Sequence, residues 1–170
     1  CAFMRYTLRL LTTQQFARAA AMIVALEAIR TGRAPVPNGI PLRGNAPFSI
    51  GLWVGGEATP NTRETAFLSL HQNRSDVPSP KQLAFCPACG SRLSWSIESR
   101  TTPVKVRCLD TSCAMHGELP IYTVDEDIYV HRPTLLIGTV DKFAQIVRER
   151  RTNSLFAIST GSPPDLIIQD

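Results

Sequence analysis

The sequence has no unbroken apolar run of membrane length, no marked excess of one charge and no phosphate loop, and each absence excludes something. The longest apolar stretch, around Ala19 to Ile29, is interrupted by Glu27 and falls short of the roughly 20 residues that cross a bilayer, so a soluble chain is expected. The start shows no secretory series of basic, apolar and small residues. Five cysteines in 170 residues do not read as a secreted disulfide framework, and a reducing, cytoplasmic setting is the expectation. Eighteen basic against fourteen acidic side chains, a formal net charge of +4, permits an anionic partner without pointing to nucleic acid by itself. No Gly-x-x-x-x-Gly-Lys-Ser/Thr segment occurs, so this stretch alone is not expected to hydrolyse ATP. Internal repeats and low-complexity tracts are absent as well.

What is present is ordinary globular composition, 44% hydrophobic and 19% charged, enough for one core. The chain starts at Cys1 without an initiator Met and stops at Asp170 directly after Leu166-Ile167-Ile168; this is read as an internal piece of a longer polypeptide.

Along the chain, Arg5 to Leu11 alternates as a strand does. A helix is expected to follow at once, capped by Thr12 with Gln15 and running to Gly32 with Phe16, Ala19, Ala20, Ile23 and Leu26 inward. Four prolines and three glycines between residues 31 and 47 mark a loop. Phe48 to Val54 reads as a buried strand closed by Gly55-Gly56, and Thr59-Pro60 as the cap of a short helix reaching about Leu70. After a second breaker cluster at 76–80 and the cysteine module at 83–118, Leu135 to Thr139 is a strand, Asp141 to Arg150 a helix with Phe143, Ile146 and Val147 inward, and Asp165 to Gln169 a further strand. Alternating helices and near-continuously apolar strands predict a parallel α/β sheet covered on both faces.

The strongest chemistry lies in Cys86, Cys89, Cys108 and Cys113. The spacing is Cys-x2-Cys, eighteen residues, then Cys-x4-Cys. Gly90 supplies the positive φ that the first knuckle needs, and Arg92 to Ile97 with Val104 to Arg107 can form a hairpin between the knuckles, the pattern of a zinc ribbon. A segment of about 35 residues cannot hold itself together by apolar burial, so a metal would supply its stability. The competing reading is four buried, reduced thiols with no metal, and two close pairs at ribbon spacing favour zinc. With four protein ligands the site is structural, leaving no open position for a substrate. His116 reads as a surface histidine, Cys1 as a core thiol, and Trp95 as the module's small core.

Ligands of a parallel α/β sheet gather beyond the carboxyl ends of its strands. There the sequence places Thr12-Thr13, Gly55-Gly56, Gly138-Thr139-Val140-Asp141 and Asp170. In series these resemble the first RecA-like domain of superfamily 2 helicases, between the phosphate loop and the DExx box. The resemblance places Leu11-Thr12-Thr13-Gln14-Gln15 at motif Ia, Gly55-Gly56 at the double glycine, Gly138 to Phe143 at motif Ib and Leu166 to Asp170 at the start of motif II. The wording of Leu8 to Ala20, Ile50 to Pro60 and Tyr122 to Phe143 is similar to helicase-like proteins of the DISARM phage-defence systems. It implies a partial RecA-like core in 1–82 and 119–170, truncated at the motif II strand and interrupted by the zinc-ribbon insertion at 83–118. It further implies that Asp170 holds Mg²⁺ on ATP in the intact parent, and that Thr12, Thr13, Gly55, Gly56, Thr139 and Lys142 line a track for nucleic acid, DNA in the first instance. Its partners would then be the remaining helicase domains of the same polypeptide and other defence-system subunits. A phosphate loop before Cys1 and a Glu after Asp170 are expected in the parent gene.

The remaining charged runs are bland. Arg148, Arg150 and Arg151 read as the solvated end of a helix. Asp125-Glu126-Asp127 reads as a solvated loop. Arg92, Arg100, Lys105 and Arg107 make the cysteine module basic, suited to DNA or to a neighbouring domain. A rival reading of the whole is a non-catalytic zinc-ribbon adaptor for nucleic acid or protein.

Overall fold

The structure, a computed structural model, describes residues 1–6, 9–36, 44–72, 74, 76–146, 148–156 and 163–169, without the side chains of 6 and 9–13. Its centre is a five-stranded sheet in the order β6-β2-β7-β1-β8, every pairing parallel. The strands are β1 (Ala2–Tyr6), β2 (Ile50–Trp53), β6 (Ile121–Tyr122), β7 (Leu135–Thr139) and β8 (Leu166–Gln169). Both β2 and β7 are buried at every position, as near-continuously apolar strands in a doubly covered parallel sheet must be.

One face is covered by α1 (Arg9–Arg30), whose Phe16, Ala20, Ile23 and Val24 bury against Ile50, Leu52, Leu135 and Ile137. The helix stops where Gly32 takes φ 70°. The Gly32 N–H donates to Ile29 O and the Arg33 N–H to Ala28 O, a Schellman closure that satisfies carbonyls the helix leaves open. Below it the buried carboxylate of Glu27 accepts from Arg30 Nε and Nη2 at 2.7 and 2.6 Å and from the Phe48 backbone N–H at 2.9 Å. That pins the loop back onto the helix at the start of β2.

The other face is covered by α3 (Asp125–His131), α4 (Val140–Ala144) and a 3-10 turn over Arg150–Ser154. There Phe3, Trp53, Ile128, Leu136 and Leu155 form a second buried cluster, with Phe143 set edge-on to both Trp53 and Phe3.

A second sheet is antiparallel, in the order β3-β4-β5, from β3 (Leu93–Ser96), β4 (Lys105–Cys108) and β5 (Gly117–Leu119). It is flanked by α2 (Arg63–Gln72), where Ala66 packs with Ile97, Val104 and Val124. The apolar cluster under α1 runs without interruption into Cys86, Val106, Cys108, Cys113, Met115 and Leu119. The cysteine module therefore shares its core with the sheet.

Several sequence expectations are corrected. The first strand spans Ala2–Tyr6 rather than Arg5 to Leu11, and α1 starts at Arg9. Thr12 and Thr13 thus lie in its first turns, not beyond a strand end. The α2 cap is Thr62, whose hydroxyl accepts the Thr65 N–H at 3.1 Å; the buried Thr59 hydroxyl donates to Val54 O instead. The expected helix Asp141 to Arg150 is broken after Ala144, and the Arg151 N–H then turns to the Glu149 side chain. The acidic run 125–127 is the first turn of α3 with Asp125 and Asp127 buried, because Lys142 and Arg63 supply partners that no local pattern announces. The last strand, expected to be buried, lies at the sheet's edge with Leu166, Ile167 and Ile168 exposed, since no described helix covers it.

Candidate metal centre and strand-end cluster

Two tight turns bring the four cysteines together. In the first, the Gly90 N–H donates to Cys86 O at 2.9 Å with Gly90 at φ 77°, and the Cys86 N–H donates to Ser91 O at 2.7 Å. In the second, Cys108 ends β4 and the Cys113 N–H returns to Asp110 O at 3.1 Å. The sequence offered no sign of the role of Asp110. Its carboxylate accepts from Ser112 N and Oγ on its own knuckle and from Ser91 Oγ at 2.8 Å on the other, tying the two turns together.

The four Sγ atoms all lie within 4.8 Å of one another, with Cys86 to Cys113 at 4.0 Å and Cys89 to Cys108 at 3.6 Å. A tetrahedron of thiolates at the zinc–sulfur distance of about 2.3 Å needs edges of about 3.8 Å, so these donors fit a four-coordinate soft metal. Cys86, Cys108 and Cys113 are buried and Cys89 is exposed. Burial pushes the Cys108 thiol up to about 12 and raises Cys113. The Ser91 N–H, then its hydroxyl, draw Cys89 down to about 7. The Met115 N–H, 3.3 Å from Cys113 Sγ, favours the thiolate there. His116 stays outside the cluster. Trp95 is wedged between the module and the core, its indole N–H donating to Leu83 O at 3.0 Å.

The carboxyl ends of the central strands form a second candidate site. Trp53 on β2, Gly138 on β7, Arg5 on β1 and Gln169 on β8 are register partners across four adjacent strands. Gly138 keeps this row open, because a Cβ there would come 3.1 Å from Trp53 O and 3.2 Å from the Phe143 ring. Gly56 is needed differently: a Cβ on it would strike the Asn61 amide at 2.7 Å. Asn61 in turn accepts from Lys142 Nζ at 2.8 Å, and Lys142 donates to Asp125 Oδ2 at 2.5 Å. Burial pushes the Asp125 carboxyl up while the Lys142 ammonium opposes it. Tyr129, whose hydroxyl donates to Asp125 at 3.4 Å, is raised by the same burial.

Of the candidate track residues, Gly55 and Gly56 turn the chain just beyond β2, with the Ala58 N–H closing onto Gly55 O. Thr139 ends β7 with its hydroxyl buried. Lys142 faces inward to Asp125 and Asn61 and has no surface to offer. The Thr12 and Thr13 side chains and Asp170 lie outside the described residues. Among the described residues, four buried polar side-chain atoms, Arg5 Nε, Trp53 Nε1, Asp125 Oδ1 and Thr139 Oγ1, have no hydrogen-bond partner. The Trp53 indole N–H favours the Asp125 carboxylate without reaching hydrogen-bond geometry.

No helix among the described residues is long and apolar enough to cross a membrane. No protein-family model matches the chain. It is 35% identical over 167 residues to the DISARM protein DrmA of Bacillus paralicheniformis (strain ATCC 9945a / NCIMB 11709 / CD-2), a match that takes in 90% of this chain and 14% of the relative. The chain is thus related to one portion of a much larger DISARM protein.

Proposed function

We propose that this chain is part of the first motor domain of an ATP-dependent nucleic-acid helicase or translocase serving a prokaryotic antiphage defence system. In this reading the fold is a partial RecA-like core carrying a zinc ribbon, and the zinc is structural. The observation that carries the reading is the strand-end row: Gly55-Gly56, Thr139 and the carboxyl end of β8 lie at one edge of a parallel sheet, where buried polar atoms are left without partners among the described residues. Unpartnered buried polar groups are rare away from functional or hydrated sites, and this edge is where open parallel sheets bind ligands. The similarity to DrmA supports the defence assignment.

Asp170 would hold Mg²⁺ on ATP, and Thr12, Thr13, Gly55, Gly56 and Thr139 would line the nucleic-acid backbone. Lys142 acts in this scheme as a positioning residue, bracing the Gly56 loop through Asn61. The test is ATP hydrolysis by the intact protein with and without single-stranded DNA. Stimulation by DNA, abolished in Asp170→Asn, is the expected result. A parent gene with neither a phosphate loop before Cys1 nor a Glu after Asp170 would sink the motor reading and leave the zinc-ribbon adaptor.

A further inference from the structure

The hairpin tip of the cysteine module reaches over to α3 and the 3-10 turn, enclosing a cleft of about 550 Å³ lined by Arg63, Arg100, Thr101, Tyr129, Val130 and Arg151 among others. Three guanidinium groups thus meet at one cavity, each from a different part of the fold. Arg63 opens α2, Arg100 sits at the β3-β4 tip, and Arg151 lies on the 3-10 turn.

Their fixation differs. Arg63 is a built-in strut: Nε donates to the buried Asp127 at 2.7 Å and Nη1 to Thr101 O at 2.9 Å, which ties the hairpin tip to α2 and α3. Arg100 and Arg151 are half-exposed and lie over aromatic rings, Arg100 at 5.8 Å from the Phe67 centroid and Arg151 at 5.8 Å from that of Tyr129. The ring face attracts each guanidinium and holds it near the cleft, which reduces the ordering cost of a ligand contact. Their present partners are carboxylates, Glu64 for Arg100 and Glu149 with Glu126 for Arg151. The single Arg100–Glu64 contact is of the exposed kind that stabilises by only about 0–1 kcal/mol, whereas Arg151 is held by Glu149 through Nε and Nη2 and by Glu126 through Nη1. A planar guanidinium pairs bidentately with a phosphate as it does with a carboxylate, so a phosphate can take a carboxylate's place. The carboxylates therefore act as placeholders.

We infer that this cleft is a phosphate-binding site in which Arg100 and Arg151 exchange their glutamate partners for the oxygens of one phosphate group, with the Tyr129 and Val130 wall facing the attached nucleoside. The shared chemistry fits a nucleic-acid backbone or a free nucleotide, and the volume lies within the range of small-ligand sites. The site would bring the cysteine module into direct contact with the ligand, a role beyond stabilising the fold. It does not depend on the motor reading, which serves only to select the oligonucleotide probe.

The test is binding to the metal-loaded intact protein of two probes, a fluorescent 12-residue oligothymidylate and AMP, over a series of salt concentrations. Arg100→Ala/Arg151→Ala is expected to weaken whichever probe binds the cleft at least tenfold. If that probe is the oligonucleotide, the slope of log K against log salt should fall by about 0.7, the contribution of one single-strand phosphate. Glu64→Gln/Glu149→Gln removes two of the three placeholders, leaving Glu126, which also lines the cleft, and is expected to tighten the same probe about threefold, a gain that misfolding cannot imitate. Loss confined to the oligonucleotide identifies a strand backbone, and loss confined to AMP identifies a free nucleotide. Oligonucleotide binding that neither pair of substitutions alters overturns the cleft and leaves the motor reading standing. AMP binding that depends on both arginines, without any oligonucleotide binding, keeps the cleft and counts against the motor.

Discussion

Lys142 Nζ lies 2.5 Å from Asp125 Oδ2 with both side chains almost sealed from solvent, at 1% and 5% exposure. The pair joins the helix after β7 to the first turn of α3, and through Asn61 it reaches the Gly56 loop. Breaking a buried ion pair leaves an uncompensated charge and costs about 3–5 kcal/mol, whereas replacing both partners by apolar groups can be nearly neutral. Lys142→Met and Asp125→Leu are each expected to destabilise by that amount, and the double variant by less than either. Urea denaturation of the three variants checks this; additive losses would show that the two side chains do not act as a pair.

Metal removal is expected to unfold the cysteine module and loosen the α1 face, because Cys86, Cys108 and Cys113 belong to the same buried cluster as Phe16 and Ile50. Cys108→Ser should yield protein without bound metal and with a lowered melting temperature. Elemental analysis beside thermal denaturation gives the answer, and a metal-free protein as stable as the loaded one would refute the coupling.

Metal affinity should rise with pH. Binding needs thiolates, and burial holds the metal-free Cys108 at about 12 and Cys113 above its ordinary value, so both release protons when the metal enters. At least two protons displaced correspond to a gain in affinity of at least about a hundredfold per pH unit around neutrality. Competition with a chromogenic chelator between pH 7 and 8 measures the slope, and a flat profile would mean the thiols are already ionised.

Glu27 predicts an acid limb in stability. Arg30 above all, with the Phe48 N–H, holds its carboxyl below the ordinary value of 4.5 against the opposing effect of burial. A carboxyl depressed on folding contributes stability that is complete above the unfolded value and lost as pH falls through the folded one. Glu27→Gln should therefore destabilise at pH 7 and converge with the parent protein as pH falls through the depressed folded value. Denaturation midpoints across that range test it.

Gly51 leaves no room for a side chain, since a Cβ would lie 2.8 Å from Leu136 Cδ1 and 2.9 Å from Pro133 Cγ. Gly51→Ala is expected to cost about 1–3 kcal/mol by overpacking, read as a lowered urea midpoint. An unchanged midpoint would mean that Leu136 and the Pro133 ring move aside freely.

Legibility in the sequence followed the range of the interactions. The ribbon spacing, the Gly90 turn and the apolar runs of β2 and β7 were readable because each is a local pattern that imposes its own geometry. The start of α1 and the break after Ala144 were misread, since strand and helix periodicities overlap at 5–11 and short apolar spacing at 141–147 does not reveal where a helix ends.

The sequence by itself determined that four thiols would be available at metal-ligand spacing and that strands and helices would alternate around a parallel sheet. Only the tertiary structure decided that Asp110 ties the two knuckles, that the module's core merges with the sheet's, and that the acidic turn at 125–127 is buried. The physical reason is distance along the chain. Asp127 is tolerable inside the protein because Arg63 arrives from 64 residues away and the Val104 N–H from 23, and Asp125 because Lys142 does from 17. A charge's environment is set by whatever folds against it, and that information is not local.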